Sequence, residues 1–258
     1  GNWPGKTVGS AYGMAVLGGE SCVIADTPGA YSLAARSREE ELARDALLFG
    51  GADTVVAVCD ATNLRRSLTL ALQLGEFAPK MVLCLSLTDE AEKRGIHIDA
   101  GRLSELTGLP VAAVSAGRGE GLEELRSAIA NARARPVRPV CCGCGVEDAI
   151  RPLCEYFEAY HPPLPAHWLA MRVLEDDENT ISCLERHFGM DTGDSELSSV
   201  IAVCRSRLDK LLLGPGGLSD LTARRLGELA AGICAGCVSV SPARPRFDID
   251  AVLTHPVW

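Results

Sequence analysis

The sequence predicts an α/β sheet covered by helices on both faces, followed by an all-helical domain. Three observations predict it. Apolar, β-branched runs alternate with amphipathic stretches from residue 8 to about residue 131. A segment rich in proline and arginine, residues 133–139, then interrupts the pattern. Beyond it only helical periodicity recurs.

Ala11 to Leu17 and Cys22 to Ala25 read as successive strands. Ser37 to Phe49 reads as a helix, with Glu39, Glu40 and Glu41 in the first turn, where the helix dipole favours acids. Thr54 to Cys59 is a continuous apolar run, as a buried parallel strand requires. Asn63 to Phe77 is an amphipathic helix and Met81 to Leu85 a second buried strand. Glu90 to Arg94 and Ala100 to Thr107 read as helices, Val111 to Val114 as a strand and Gly121 to Ala132 as a helix. In the second half, Glu147 to Tyr160, Ala166 to Leu174, Glu196 to Leu213 and Ser219 to Cys237 carry helical periodicity. Pro162-Pro163-Leu164-Pro165 and Gly214-Pro215-Gly216-Gly217 separate them, and Ser241 to Trp258 returns to loop character.

Composition narrows the function classes. The 258 residues are 47% hydrophobic and 23% charged, which fits a folded core of one or two domains and argues against disorder. Net charge is −9 with the signs interspersed, so no basic track awaits a phosphate backbone and no nucleic-acid partner is expected. No signal peptide opens the chain; it lacks an initiator Met and reads as starting mid-protein. No stretch reaches the roughly 18–20 apolar residues that span a bilayer. The nearest, Leu229 to Val240, reads as a buried helix.

Eleven cysteines are present. Cys22, Cys59 and Cys84 sit in apolar runs and read as small core residues. Cys141-Cys142-Gly143-Cys144 and Cys234-Ala235-Gly236-Cys237 have, in principle, the donors for a zinc site. No His stands at finger-like spacing, so they read as reduced thiols in a cytoplasmic setting.

Ligands of such sheets bind at the carboxyl ends of the strands. Asp26-Thr27-Pro28-Gly29 follows a strand there: an Asp of this kind holds Mg²⁺ through water, and a Gly amide can approach a γ-phosphate. Taken alone the segment is also a good turn. Ser86-Leu87-Thr88-Asp89 follows the next buried strand but one, where guanine-specific GTPases carry Asn-x-x-Asp. The Asp accepts two hydrogen bonds from the guanine N1–H and 2-amino group, which adenine cannot offer. Ser115-Ala116-Gly117 follows the strand after that, and a loop of this type supplies a backbone N–H to guanine O6. Each of the last two alone is more often a helix cap or a turn than a base-binding site. Gly5-Lys6-Thr7 imitates the end of a P-loop, but only three residues separate Gly1 from Gly5 and no strand precedes it. Thr7 instead lies nineteen residues before Asp26, as a switch I Thr does.

Thr7, Asp26, Asp89 and Ser115 follow the order of a Ras-like GTPase, and the surrounding residues resemble those of FeoB-type ferrous-iron transporters. Gly1-Asn2-Trp3-Pro4-Gly5-x-Thr7-Val8 looks like that family's switch I. Asp26-Thr27-Pro28-Gly29-Ala30-Tyr31-Ser32-Leu33, Asp60-Ala61-Thr62-Asn63-Leu64 and Asp89-Glu90-Ala91-Glu92-Lys93-Arg94-Gly95 resemble further family runs. His167-Trp168-Leu169-Ala170 looks like the start of its helical domain, and Arg246-Phe247-Asp248 to Pro256 like the run before its first membrane segment.

The resemblance implies a Ras-like P-loop GTPase sheet, truncated at its N-terminus, over residues 1–132. It implies a helical domain over 140–240 and a linker toward a membrane domain over 241–258. GTP or GDP would contact Gly5, Lys6, Thr7, Val8, Gly9, Asp26 to Gly29, Ser86 to Asp89 and Ser115 to Gly117, with Thr7 and Gly29 serving catalysis. Mg²⁺ would sit at Thr7 and Asp26, and K⁺ at the backbone carbonyls of Gly1, Asn2 and Trp3. Ala30 stands where many GTPases place a Gln, so a backbone group would orient the attacking water. The implied role is regulation of Fe²⁺ uptake by GTP hydrolysis at the cytoplasmic face of the bacterial inner membrane, the fragment itself being soluble. The implied partners are the permease domain and an upstream P-loop segment. Two departures count against activity of this polypeptide by itself: no P-loop precedes switch I, and Ser86 is too short to act as the guanine-loop Asn. The competing expectation is a nucleotide-free interaction module.

Overall fold

The computed structural model describes residues 11–27, 44, 46–48, 50–78, 80–136, 139–160, 164–175, 181–182, 185–186, 189, 194–211, 213 and 217–241. Its centre is a three-stranded parallel sheet. β3 (Val55–Asp60) and β6 (Val111–Ala113) pair on either side of β4 (Met81–Ser86). Met81 to Leu85 are all buried, because β4 has a neighbour on each edge and helices on each face.

A single tight turn, Ala61–Asn63, leads from β3 into α1 (Leu64–Leu74). Asp60 starts it: one carboxylate oxygen accepts from Thr62 N and from the Thr62 hydroxyl, each at 2.7 Å. α1 buries Leu64, Leu68, Ala71 and Leu74 on one stripe against β3. α2 (Thr88–Lys93) follows β4, β5 (Ile96–Ile98) follows α2, and α3 (Ala100–Thr107) starts under an Asp99 cap. α4 (Leu122–Ala130) follows β6.

The second half packs α5 (Cys144–Tyr160) against α6 (Ala166–Leu174) and α7 (Ser195–Asp209). α5 buries Val146, Ala149, Ile150, Leu153 and Phe157 at helical spacing, with Pro152 between them. α8 (Gly217–Cys237) lies over α1 and α3, so both halves share one apolar cluster. Trp168 on α6 meets Phe77 edge to face, with ring centroids 5.7 Å apart.

Three features differ from the sequence expectation. First, the second half is not wholly helical: α8 runs into β7 (Val238–Val240), which pairs antiparallel with β5. Asp99 N donates to Cys237 O at 2.9 Å and Ser241 N to Gly95 O at 2.8 Å, so the ribbon ties the halves together. Second, β1 (Ala11–Leu17) and β2 (Glu20–Asp26) form a hairpin hydrogen-bonded to no other described strand. Val58 on β3 is 65% exposed, so the sheet is not covered throughout. Third, Cys22 on the hairpin is only half-buried, whereas Cys59 and Cys84 are core residues as expected. The helix expected at Ser37 to Phe49 is seen at residues 44 and 46–48; its remainder lies outside the described residues. Among the described residues, no helix is long and apolar enough to cross a membrane. The Leu229 to Val240 stretch is the amphipathic end of α8 followed by β7, with Leu229 exposed and Ala230 and Ile233 buried.

Candidate functional site

The parallel register aligns the carboxyl ends of the central strands: Asp60 stands beside Ser86, and Leu85 beside Ala113. The loops that follow β4 and β6 therefore meet at one end of the sheet. The chain leaves β4 through Leu87, whose φ of 57° is left-handed. For a residue with a side chain this costs about 1–2 kcal/mol. It turns the chain sharply, so that Thr88 and Asp89 begin α2 close to the β6 loop. The Thr88 hydroxyl donates to Val114 O at 3.2 Å and fastens one loop to the other. Val114 N in turn donates to Leu85 O at 2.7 Å.

The second loop is closed by backbone pairing. Ser115 N donates to Glu120 O at 3.1 Å, and Glu120 N to Ser115 O at 3.2 Å. Gly121 permits the return: its φ is 81°, and a Cβ there would lie 1.9 Å from Ala113 O. The Ser115 side chain is 2% exposed, and its hydroxyl makes no hydrogen bond of normal geometry among the described residues. Burial disfavours the charge on Asp89. The nearby Ser115 hydroxyl, the Lys93 ammonium, the residue's own amide and the Arg118 guanidinium outweigh it and hold the carboxyl below its usual range. Lys93 Nζ lies 3.6 Å from Asp89 Oδ2.

These two loops thus offer an ionised acceptor, Asp89, beside the buried Ser115 hydroxyl. That combination suits a planar ligand edge carrying adjacent N–H donors, as guanine does. The Ser86 hydroxyl donates to Cys59 O at 3.2 Å. Leu87 is exposed, and Ala116 and Gly117 form the tip of the second loop.

Asp26 ends β2 on the separate hairpin and is exposed; Thr27 follows it. A lone carboxylate suits a Mg²⁺ ion that arrives with phosphates and keeps its waters, rather than a protein-built cage. Gly1, Asn2, Trp3, Gly5, Lys6, Thr7, Val8, Gly9, Pro28 and Gly29 lie outside the described residues, so the K⁺ and switch assignments rest on sequence. Among the described residues, no group of three or more His, Cys, Asp or Glu could hold a metal. The sequence pattern does not reveal the structural roles of Thr88 and Gly121. Gly119-Glu120-Gly121 was the available signal for the loop's return, and nothing local signalled the Thr88 bridge.

The fold and this site define a Ras-like G domain joined to a helical companion. A family model described as "Ferrous iron transport protein B" matches residues 1–129, and one described as "FeoB cytosolic helical domain" matches residues 143–239. The chain belongs to the ferrous iron transport protein B family. The Fe(2+) transporter FeoB of Escherichia coli K12 is 34% identical over 182 residues, which cover 69% of this chain and 24% of that protein. The Salmonella typhimurium LT2 protein of the same name is 38% identical over 133 residues, half of this chain and 17% of that one. The chain therefore spans about a quarter or less of the length of these relatives. Among solved structures, the cytosolic domain of T. maritima FeoB in a GDP form superposes with a TM-score of 0.72 at 29% identity, covering 93% of this chain and 88% of that one. A GDP-bound mutant of the S. thermophilus FeoB G-domain gives 0.76 at 26% identity, covering 93% and 89%.

Proposed function

We propose that this chain is the guanine-nucleotide-reading module of a ferrous-iron transporter. Residues 1–132 form the nucleotide domain, 140–240 the helical domain, and 241–258 the passage toward a membrane permease domain. The observation that carries the reading is Asp89, an ionised carboxylate placed by the Leu87 turn and the Thr88–Val114 bond beside the Ser115 loop. Its two oxygens would accept from guanine N1–H and the 2-amino group, while a backbone N–H of Ala116 or Gly117 would donate to O6, that of Ser115 being engaged by Glu120 O. Asp26 and Thr7 would hold Mg²⁺ against the phosphates, and carbonyls of Gly1, Asn2 and Trp3 would hold K⁺, by the order and spacing of these residues. Those cations supply positive charge where the phosphates develop negative charge. The Gly29 amide and Thr7 would position the attacking water. GTP hydrolysis would then gate Fe²⁺ passage in the transporter, at the cytoplasmic face of the inner membrane.

The test is nucleotide competition. A fluorescent GTP analogue is displaced by GDP, ADP or xanthosine diphosphate, in the wild-type chain and in Asp89→Asn. The reading expects GDP to win in the wild type and xanthosine diphosphate to gain on it in the variant. Equal displacement by GDP and ADP would remove guanine from the site.

A second reading, a nucleotide-free interaction module, is favoured by Ser86, whose hydroxyl is engaged by Cys59 O rather than by the base loops. Absence of any displacement at millimolar nucleotide would select it.

A further inference from the structure

Among the described cysteines only Cys141 and Cys144 are exposed. Burial pushes the Cys59 thiol up to about 12 and those of Cys154 and Cys234 up to about 11. Cys84, Cys142, Cys204 and Cys237 are raised for the same reason. Such thiols are poor nucleophiles. The exposed pair stands in different surroundings. Gly143 O accepts from Val146 N at 3.0 Å and from Glu147 N at 3.1 Å, so α5 begins there and Cys144 occupies its first position. Cys144 thus stands at the N-terminal, positive end of a 17-residue helix. Gly143, with φ 109°, turns the chain between the two cysteines, and a Cβ on it would lie 4.0 Å from Arg225 Nη2. A guanidinium therefore stands beside the turn. Cys141 lies against Glu147, whose carboxylate also accepts from Cys142 N at 2.9 Å and meets His167 Nε2 at 2.9 Å.

We propose that Cys141 and Cys144 form a thiol–disulfide exchange site in the segment that joins the two halves, and that its substrate class is a low-molecular-weight disulfide. The spacing is that of a Cys-x-x-Cys pair across a helix start. The Cys144 thiolate attacks one sulfur of the small disulfide, forms a mixed disulfide and releases the first small thiol. The Cys141 thiolate then attacks Cys144 Sγ and expels the second. Two protein thiols become one disulfide, the small disulfide becomes two thiols, and the two protons pass from the protein thiols to the leaving groups. Oxidation draws Cys141 off Glu147. The adjoining Val140 N is bound to the buried Glu76 at 3.0 Å, so the change falls where the segment is anchored to the first half.

The test uses the intact chain and oxidised glutathione. After acid quenching, digestion and mass analysis, the peptide holding residues 141–144 should be lighter by two hydrogens, with Cys142 still open to alkylation, and dithiothreitol should restore it. Cys141→Ser should stop at a glutathione adduct on Cys144. Cys144→Ser should react at least about tenfold more slowly than wild type. Any of three results overturns the proposal: the peptide stays reduced while Cys22 reacts, the disulfide contains Cys142, or Cys144→Ser reacts at the wild-type rate.

Discussion

β4 and β1 have similarly apolar sequences and opposite surroundings. Every residue from Met81 to Leu85 is buried, while Tyr12, Met14 and Val16 on β1 are 72%, 73% and 66% exposed. β4 gains its burial from partners distant in sequence: β3 on one edge, β6 on the other, and helices over both faces. β1 pairs only with β2 among the described strands, and α4 packs lightly against it. Apolarity states that a strand can be buried; topology decides whether it is. The same contrast divides the candidate site. Asp89 and Ser115 sit on loops held by the buried strands, whereas Asp26 rides on the exposed hairpin.

Mutations can sharpen that contrast. The largest effect is expected from Leu83→Ala at the centre of β4, which should cost about 2–5 kcal/mol in chemical denaturation. If it costs no more than a surface change, β4 is not the core strand. Gly121→Ala comes next, at about 2 kcal/mol or more, because the new Cβ meets the Ala113 carbonyl at a left-handed φ. It should also weaken guanine nucleotide binding. Thr88→Val keeps the shape and removes the bond to Val114 O, for about 1 kcal/mol; Thr88→Ser should recover most of it.

Glu76 gives a smaller effect that depends on pH. Burial raises its pKa, more than the Val140 amide and the Arg172 and His167 side chains lower it. A carboxyl with a raised folded pKa releases its proton first from the unfolded chain. Its burial therefore begins to destabilise the fold as pH rises through the ordinary Glu value, about 4.3, and does so fully above the folded pKa. Glu76→Gln should match wild type near the ordinary Glu value and exceed it at neutral pH, in thermal melts across that range. Least affected should be Met14→Ala on the hairpin, within about 0.5 kcal/mol. A loss as large as that of Leu83→Ala would mean that the hairpin's apolar face is covered in solution.

Much of the first half was legible because its strands are continuous apolar runs and its helices have clean stripes. Ala100 to Thr107 and Ala166 to Leu174 emerge with the expected ends, since Asp99 and Gly108 punctuate the one and proline precedes the other. Asp89 and Ser115 were legible through their order along the chain. Thr88 was not, because its partner Val114 lies twenty-six residues away and only the sheet brings them together. β5 and β7 escaped notice for a similar reason. Ile96-His97-Ile98 and Val238-Ser239-Val240 each alternate, but three residues make no strand until each finds the other.

That short ribbon has a mechanical consequence. Ser241 is hydrogen-bonded to Gly95, and Gly95 follows Arg94, the C-cap of the helix that carries Asp89. The second half begins at Val140, anchored on Glu76, and ends at Ser241, anchored on Gly95. It is therefore moored to the first half at both ends, like a handle. A pull on the chain beyond residue 241 is thus carried by the Ser241–Gly95 bond to the end of the helix that holds Asp89.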